Sequence, residues 1–362
     1  MNVSLNTLLI AQSSNGTNWS YSSFYGHSLT TWFALMLTLC LSGVITNVLL
    51  IIIIALSRKL RSGTGLLILH LLCTDTLLCC LLYPIHVILV YGSNFWFTLP
   101  KDICVYTYYP LIVIKFVNNW AEASLGFNRI VAAFLPRFFR TVSTSRSSLF
   151  AVLLCWMIVA VPLFPFCFKI MGYFPVSPVG QCMIIPSSLA GYSIMTVNAY
   201  APYGIVCCAA VCVSAKFLTK KLSLERTRVT VRDLLAPSQT AQQSLKLRRQ
   251  ITIARMLLIS FLFCLLCNTP LSILTGVTFT QSAQPWFPVL RLWFHLCSVC
   301  QYTFTPIILF ACNRDYQNGL LKLFGRGRVA PATTSGADGG TMDGTQKRHV
   351  TNPAGDFDAG IK

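Results

Sequence analysis

Long apolar stretches separated by short polar gaps dominate the sequence. Seven of them fall at about 29–56, 66–91, 103–134, 147–171, 189–218, 250–279 and 286–311. Each holds at least the ~20 residues that a helix needs to cross ~30 Å of hydrocarbon. Backbone polar groups must be satisfied inside a bilayer, so stretches of this length predict helices. The pattern therefore predicts an all-α membrane protein with a seven-transmembrane-helix bundle at 29–312.

The segments that flank the bundle have their own patterns. Residues 1–28 are polar and contain three glycosylation sequons, at Asn2, Asn15 and Asn18, which predict an extracellular glycosylated N-terminus. Residues 313–324 are amphipathic and predict a short eighth helix on the membrane surface. Residues 325–362 are rich in Gly, Ala, Thr and Asp and predict a disordered cytoplasmic tail.

Composition and charge support a membrane location and set an orientation. The 362 residues are 54% hydrophobic and 10% charged, whereas a soluble domain carries roughly 25% charged residues. The net charge of +18 is concentrated in the gaps after the first, third and fifth stretches. Basic gaps stay cytoplasmic, so we expect a multi-pass plasma-membrane protein with an extracellular N-terminus. These basic gaps suit anionic membrane lipids, and we predict no nucleic-acid partner.

The cysteines and the other reactive residues lead to predictions about a disulfide, zinc and enzymatic activity. Of 16 cysteines, only Cys104 and Cys182 fall near the outer ends of the spans, which predicts a Cys104–Cys182 disulfide on the oxidising side. No Cys/His spacing indicates zinc. No nucleophile–base set or nucleotide loop is present, so we predict no enzymatic activity.

Polar and proline residues recur inside the apolar stretches in a definite order. They are Asn47, Asp75, Asn128-Arg129-Ile130, Trp156, Pro202, Cys267-Asn268-Thr269-Pro270 and Thr305-Pro306. With Leu71, and with Arg129 placed 25 residues after Cys104, this ordered set resembles the rhodopsin-like (class A) G-protein-coupled receptors over residues 29–324. The resemblance implies a cell-surface receptor that binds an extracellular ligand in the outer half of the bundle and activates a heterotrimeric G protein.

The sequence also departs from the pattern of that family. Asn128 replaces an acidic residue, Ile130 a Tyr, Asn268 a Trp and Leu309 a Tyr. It therefore resembles a divergent orphan member with Asn-Arg-Ile in place of Asp-Arg-Tyr. These changes leave open a receptor fold that no longer couples and acts as a decoy or partner subunit.

The resemblance places the G-protein contact at the inner end of the third span. Arg129 would meet the G protein, and the acids that usually restrain it are replaced by Asn128 and Gln250. We therefore predict raised basal signalling. The alternative is that Arg129 reaches lipid phosphate. Threonines in the tail could be phosphorylated for arrestin docking.

Asp75 matches the sodium-site carboxylate of the family. Its expected companions are Asn118, Gln301 and Thr305, which are all oxygen donors suited to a sodium ion. A protonated Asp75 in a polar water cluster is an equal alternative. No other metal or cofactor is predicted.

Lys115 and Glu122 lie two helical turns apart and so share one face. The favoured interpretation is a polar network with a Lys115–Asp75 salt bridge and a neutral Glu122. The alternative is that Lys115 receives an anionic ligand head at the pocket floor. A third is an ion or proton translocator that uses Asp75, Lys115, Glu122 and Arg129 as a relay.

The predicted ligand pocket lies in the outer half of the bundle. Leu111 stands where amine receptors carry an Asp, which disfavours a biogenic amine. His86, Arg291 and His295 approach the outer mouth and, with Lys115, favour an acidic ligand such as a lipid or small carboxylate. Asn268, in place of the family Trp, completes the predicted pocket.

Overall fold

A computed structural model describes most of the helical part of the chain. The described residues are 21–57, 60–61, 63–100, 102–135, 137–139, 143–231, 258–274, 286–323 and 325. The three sequon asparagines, Gln250 and nearly all of the predicted tail lie outside the described residues.

Helices occupy all seven predicted stretches, and an eighth follows them. They are α1 (Tyr21–Leu56), α2 (Thr64–Phe95), α3 (Ile103–Phe134), α4 (Ser145–Cys167), α5 (Leu189–Val231), α6 (Leu258–Leu274), α7 (Phe287–Cys312) and α8 (Arg314–Leu323). Among the described residues, α1, α2, α4, α5 and α7 are long and apolar enough to cross a membrane by length and composition. Helix α3 has 32 residues but carries Lys115, Glu122 and Arg129. The predicted seven-helix bundle is confirmed.

Exposed apolar side chains cover the outside of the bundle, where membrane lipid would surround them. Leu41 and Ile45 on α1 are 64% and 59% exposed, whereas Trp32 and Met36 on the same helix are buried. In water the exposure of these side chains would be unfavourable, but it has no such cost where lipid hydrocarbon surrounds a transmembrane helix. The interior is held by packing and by polar side chains that bond between helices.

Helix α2 contains a π-helical turn at Leu78–Leu82, which ends two residues before Pro84. A proline lacks the N–H that an α-helix needs, and a π turn is one way to accommodate the lost hydrogen bond. The following turns bury Tyr83, His86 and Val87. The irregularity therefore lies directly before the residues that α2 contributes to the half of the bundle at the Cys104 end of α3, which we call the outer half. The opposite end of the bundle is called the inner end.

A two-stranded antiparallel hairpin joins α4 to α5. Its strands are β1 (Gly172–Tyr173) and β2 (Ile185–Pro186). Cys182 in the hairpin forms a disulfide with Cys104 near the start of α3, as predicted. Phe174 and Val179 of the hairpin are buried against the outer part of the core.

Candidate functional site

Four basic side chains from three helices come together in the outer half of the bundle. His86 comes from α2, Lys115 from α3, and Arg291 and His295 from α7. Each imidazole interacts electrostatically with Lys115 and Arg291, and Lys115 interacts with Arg291. We call these four residues the basic cluster. The structure thus groups four of the six predicted pocket residues.

Aromatic rings pack around the two imidazoles of the basic cluster. The rings of His86 and His295 are 5.6 Å apart between centroids, and Tyr83 lies 5.5 Å from His295. Tyr108 lies 5.9 Å from His86 and shares one face of α3 with Leu111 and Lys115, at positions i, i+3 and i+7. Leu111 is 1% exposed in this wall. Tyr83 and Tyr108 were not predicted as pocket residues, because a buried aromatic residue carries no functional signal by itself.

The basic cluster has few polar partners. His86 and His295 are 3% and 4% exposed, and their Nε2 atoms, like Nε of Arg291, are buried without a hydrogen-bond partner among the described residues. Nη1 of Arg291 contacts the Met183 sulfur at 2.6 Å, and a thioether is a weak acceptor. Buried polar groups usually have partners, so these three nitrogen atoms keep their capacity to bond a further polar group.

No carboxylate is among the interaction partners found for the basic cluster within the described part of the chain. The chain has only ten acidic residues. Asp102 pairs with Lys169 at 3.3 Å on the surface, and Asp75 and Glu122 lie deeper in the bundle. The other seven acidic residues all come after the apolar part of α5 in the sequence. They are Glu225, Asp233, Asp315, Asp338, Asp343, Asp356 and Asp358.

The favoured salt bridge between Lys115 and Asp75 is not formed. Helical Cα–Cβ bonds tilt toward the N-terminus of their helix. Because α2 and α3 are consecutive and antiparallel, Lys115 tilts toward the outer end that holds Cys104, whereas Asp75 tilts the opposite way. Lys115 interacts with Arg291 and the imidazoles instead, so it does not belong to the predicted polar network.

A separate polar network lies deeper and joins α3, α6 and α7. Glu122 accepts hydrogen bonds from Nε2 of Gln301 at 2.6 Å and from Sγ of Cys264 at 3.4 Å. Asn268 donates to Oε1 of Gln301 and accepts from Oγ of Ser298 at 3.2 Å. Asn268 was predicted to line the pocket, but its side chain belongs to this network.

Asp75 is 1% exposed and lies close enough to Glu122 and Asn118 to interact with both. Its Oδ1 atom has no hydrogen-bond partner among the described residues. The amide oxygens of Asn118 and Gln301 already accept bonds from Thr74 and Asn268. Thr305 is buried on α7. Each amide oxygen has a second lone pair, so sodium at Asp75 stays a prediction.

Arg129 lies at the inner end of α3 without an acidic partner in the described structure. Nδ2 of Asn128 donates to Oγ1 of Thr64 at 2.9 Å, and Nε of Arg129 is buried without a hydrogen-bond partner. Arg129 interacts electrostatically with Tyr316 of α8. Burial raises the pKa of Tyr316 to about 12, while the charge of Arg129 acts to lower it, so this hydroxyl is neutral at pH 7. Tyr316 lies in the segment 313–324, which was predicted as an amphipathic helix.

The described part of the chain thus forms a bundle of seven consecutive helices with a disulfide that joins the β1–β2 hairpin to α3. The family model described as "7 transmembrane receptor (rhodopsin family)" matches residues 46–309. This protein belongs to that family, whose members are receptors and not enzymes. A search of curated proteins finds no match.

A solved structure with a similar fold is that of squid rhodopsin. It superposes with a TM-score of 0.65 at 12% identity, over 82% of this chain and 86% of that chain. At this identity the likeness concerns the fold. Together with the apolar helices, it identifies a multi-pass membrane protein.

Proposed function

We propose that this protein is a plasma-membrane receptor that binds an extracellular anionic ligand at the basic cluster and activates a heterotrimeric G protein. The observation that carries the proposal is a group of four basic side chains, two buried and two half-buried, without a carboxylate partner in the described structure. Family membership supports signalling through a G protein.

Electrostatics explains why such a cluster favours an anion. Like charges that share a buried site raise one another's energy, and desolvation adds to that cost. A carboxylate or phosphate offers several acceptor oxygens to Lys115, to the forked guanidinium of Arg291 and to a protonated imidazole. The same absence of acids argues against an amine ligand.

The proposed orientation has the N-terminus outside. The basic residues that follow α1, α3 and α5 would then face anionic lipid on the cytoplasmic side, and the disulfide would lie on the oxidising side. Arg129 would meet the G protein at the inner end of α3. Arrestin binding to the threonine-rich tail and sodium at Asp75 stay predictions.

A translocator would need the charged groups to form a continuous relay. Lys115 interacts with the basic cluster and not with Asp75 or Glu122, which interrupts such a relay. The receptor proposal is therefore preferred over the translocator.

A G-protein dissociation panel tests coupling. Wild-type protein and Arg129→Ala are compared for basal output at equal surface expression, and Arg129→Ala is expected to lose it. Equal output from both would contradict coupling through Arg129 and favour the decoy or partner subunit.

A charge-matched pair of variants tests the anion site. Binding of soluble carboxylates and phosphates, and of their long-chain forms, is compared among wild type, Arg291→Gln and Lys169→Gln. Arg291→Gln is expected to weaken binding about tenfold or more, because a charge-assisted contact is lost. Lys169 is exposed and paired with Asp102, so Lys169→Gln should leave binding unchanged. Equal effects of both variants would mean that only general charge matters.

A further inference from the structure

An open apolar groove runs between α6 and α7 on the lipid-facing surface of the bundle. It has a volume of about 660 Å³. We call it the α6–α7 groove, and its lining residues are Leu262, Leu265, Leu266, Thr269, Pro270, Ile273, Leu274 and Phe294. Leu266 and Ile273 are 72% and 61% exposed, so the groove opens toward the bilayer.

The groove lies beside the basic cluster. Phe294, the lining residue from α7, directly precedes His295 and lies one turn after Arg291. On α6, Thr269 and Pro270 directly follow Asn268, which bonds to α7 through Ser298 and Gln301. An apolar surface open to lipid and two members of the basic cluster therefore adjoin on one segment of α7.

The β1–β2 hairpin covers the basic cluster on the other side. Met183 contacts Arg291, and Phe174 packs edge-on against Tyr108 with ring centroids 6.5 Å apart. The Cys104–Cys182 disulfide fastens this hairpin to α3. A ligand that approached through the hairpin would have to displace these contacts, whereas the α6–α7 groove already opens to the side.

We infer that the ligand is an anionic amphiphile, a single hydrocarbon chain that ends in a carboxylate or a phosphate and arrives from the bilayer. The charged head binds the basic cluster and the chain lies in the α6–α7 groove. This inference rests on the proposed anion site and adds the class of ligand and its route.

The dimensions of the groove agree with a chain of this kind. Leu262 and Leu274 mark its ends on α6, and twelve helical residues rise about 18 Å. A lipid chain in one leaflet spans about half of the ~30 Å hydrocarbon core, or ~15 Å. The groove is also almost entirely apolar, with Thr269 the single polar side chain in its lining. One acyl chain therefore matches the groove in length and in polarity.

The test uses the full-length receptor in nanodiscs of zwitterionic phosphatidylcholine. The thermal unfolding midpoint is followed as each of five probes is added. Oleate and oleyl phosphate carry both chain and charge, oleyl alcohol lacks the charge, and butyrate and methyl phosphate lack the chain. We expect oleate or oleyl phosphate to raise the midpoint, and the difference between them identifies the preferred head. The other three probes should have no effect at equal concentration.

Two substitutions separate the head from the chain. Ile273→Trp fills the groove, and Arg291→Gln removes a cation from the basic cluster. Each is expected to raise the half-saturating concentration of the preferred probe about tenfold or more. Leu153→Trp is the matched control, since Leu153 is a 55% exposed residue on α4, away from the groove. Leu266→Trp replaces Ile273→Trp if the latter lowers the midpoint without probe.

The outcomes distinguish this inference from the proposed function. If butyrate or methyl phosphate binds as tightly as the long-chain anions, or if filling the groove has no effect, the amphiphile inference is overturned and the anion site stands. If none of the five probes shifts the midpoint, both fail. If oleyl alcohol matches oleate, the groove binds lipid without the basic cluster, and the inference also fails.

Discussion

At the scale of single residues, the inner end of α3 lacks an acidic side chain that would restrain Arg129. Asn128 is neutral and bonds to Thr64, and Arg129 has no carboxylate partner in the described structure. A partly buried ion pair at this point would stabilise the arrangement in which Arg129 is held inside. We therefore predict that its absence shifts the equilibrium between resting and active forms toward the active one.

Asn128→Asp is therefore expected to lower basal G-protein output about fivefold, equivalent to ~1 kcal/mol, because the new carboxylate attracts Arg129. Output is measured at matched surface expression. Asn128→Leu has a similar size and no charge, so it should not lower the output in the same way. A decrease with Leu but none with Asp would contradict the proposed restraint.

Gln301 is the residue on which the deep network depends, because it bonds to both Glu122 and Asn268. Gln301→Leu leaves the half-buried carboxyl of Glu122 and the buried amide of Asn268 without these partners, which costs ~1–3 kcal/mol. We expect a lower thermal unfolding midpoint. Adding Glu122→Leu should recover part of the loss, since the orphaned carboxyl is then removed. Strictly additive losses in this double-mutant cycle would show that the two side chains are not coupled.

At the scale of elements, close approach of backbones decides how α1 meets its neighbours. A Cβ atom on Gly43 would lie 2.7 Å from Sγ of Cys79 on α2 and 3.1 Å from Oγ1 of Thr303 on α7. Nearby, Asn47 donates to the carbonyl oxygen of Tyr302 at 3.0 Å. Small residues allow such packing in membranes, where van der Waals contact and interhelical hydrogen bonds replace the hydrophobic effect.

Gly43→Leu is expected to destabilise the bundle by ~1–3 kcal/mol or more, because the side chain has no space between α1, α2 and α7. The measurement is the thermal unfolding midpoint of purified protein. Ala34→Leu adds the same bulk on the exposed side of α1 and should be nearly neutral. Similar losses for both variants would mean that α1 is sensitive to bulk in general and not to this contact.

At the scale of the whole molecule, orientation decides which end meets ligand and which meets the G protein. Basic residues follow α1, α3 and α5, and the sequons precede α1. We expect a glycosidase to shift the electrophoretic mobility of the wild type and not of a variant with Asn2, Asn15 and Asn18 all changed to Gln. A C-terminal epitope should bind antibody only after cells are permeabilised. Surface exposure of that epitope in intact cells would contradict the orientation.

The sequence by itself determined the number of helices and the disulfide. Uninterrupted apolar stretches such as α1 can satisfy their backbone only as helices in a bilayer, and Cys104 and Cys182 were the cysteines assigned to outer span ends or outer loops. It also indicated that Lys115 and Glu122 share a face of α3, because helical periodicity is local. These features need no knowledge of neighbouring helices.

Only the tertiary structure decided which charges meet. Lys115 and Glu122 share a face but lie about 10 Å apart in depth, and each finds different neighbours on α7. The tilt of side chains toward the N-terminus of each helix directs Lys115 outward to Arg291 and His295, away from Asp75. Glu122 meets Gln301, and Asn268 leaves the pocket for that network. Such partners come from helices far apart in sequence, and only packing sets their relative depth and rotation.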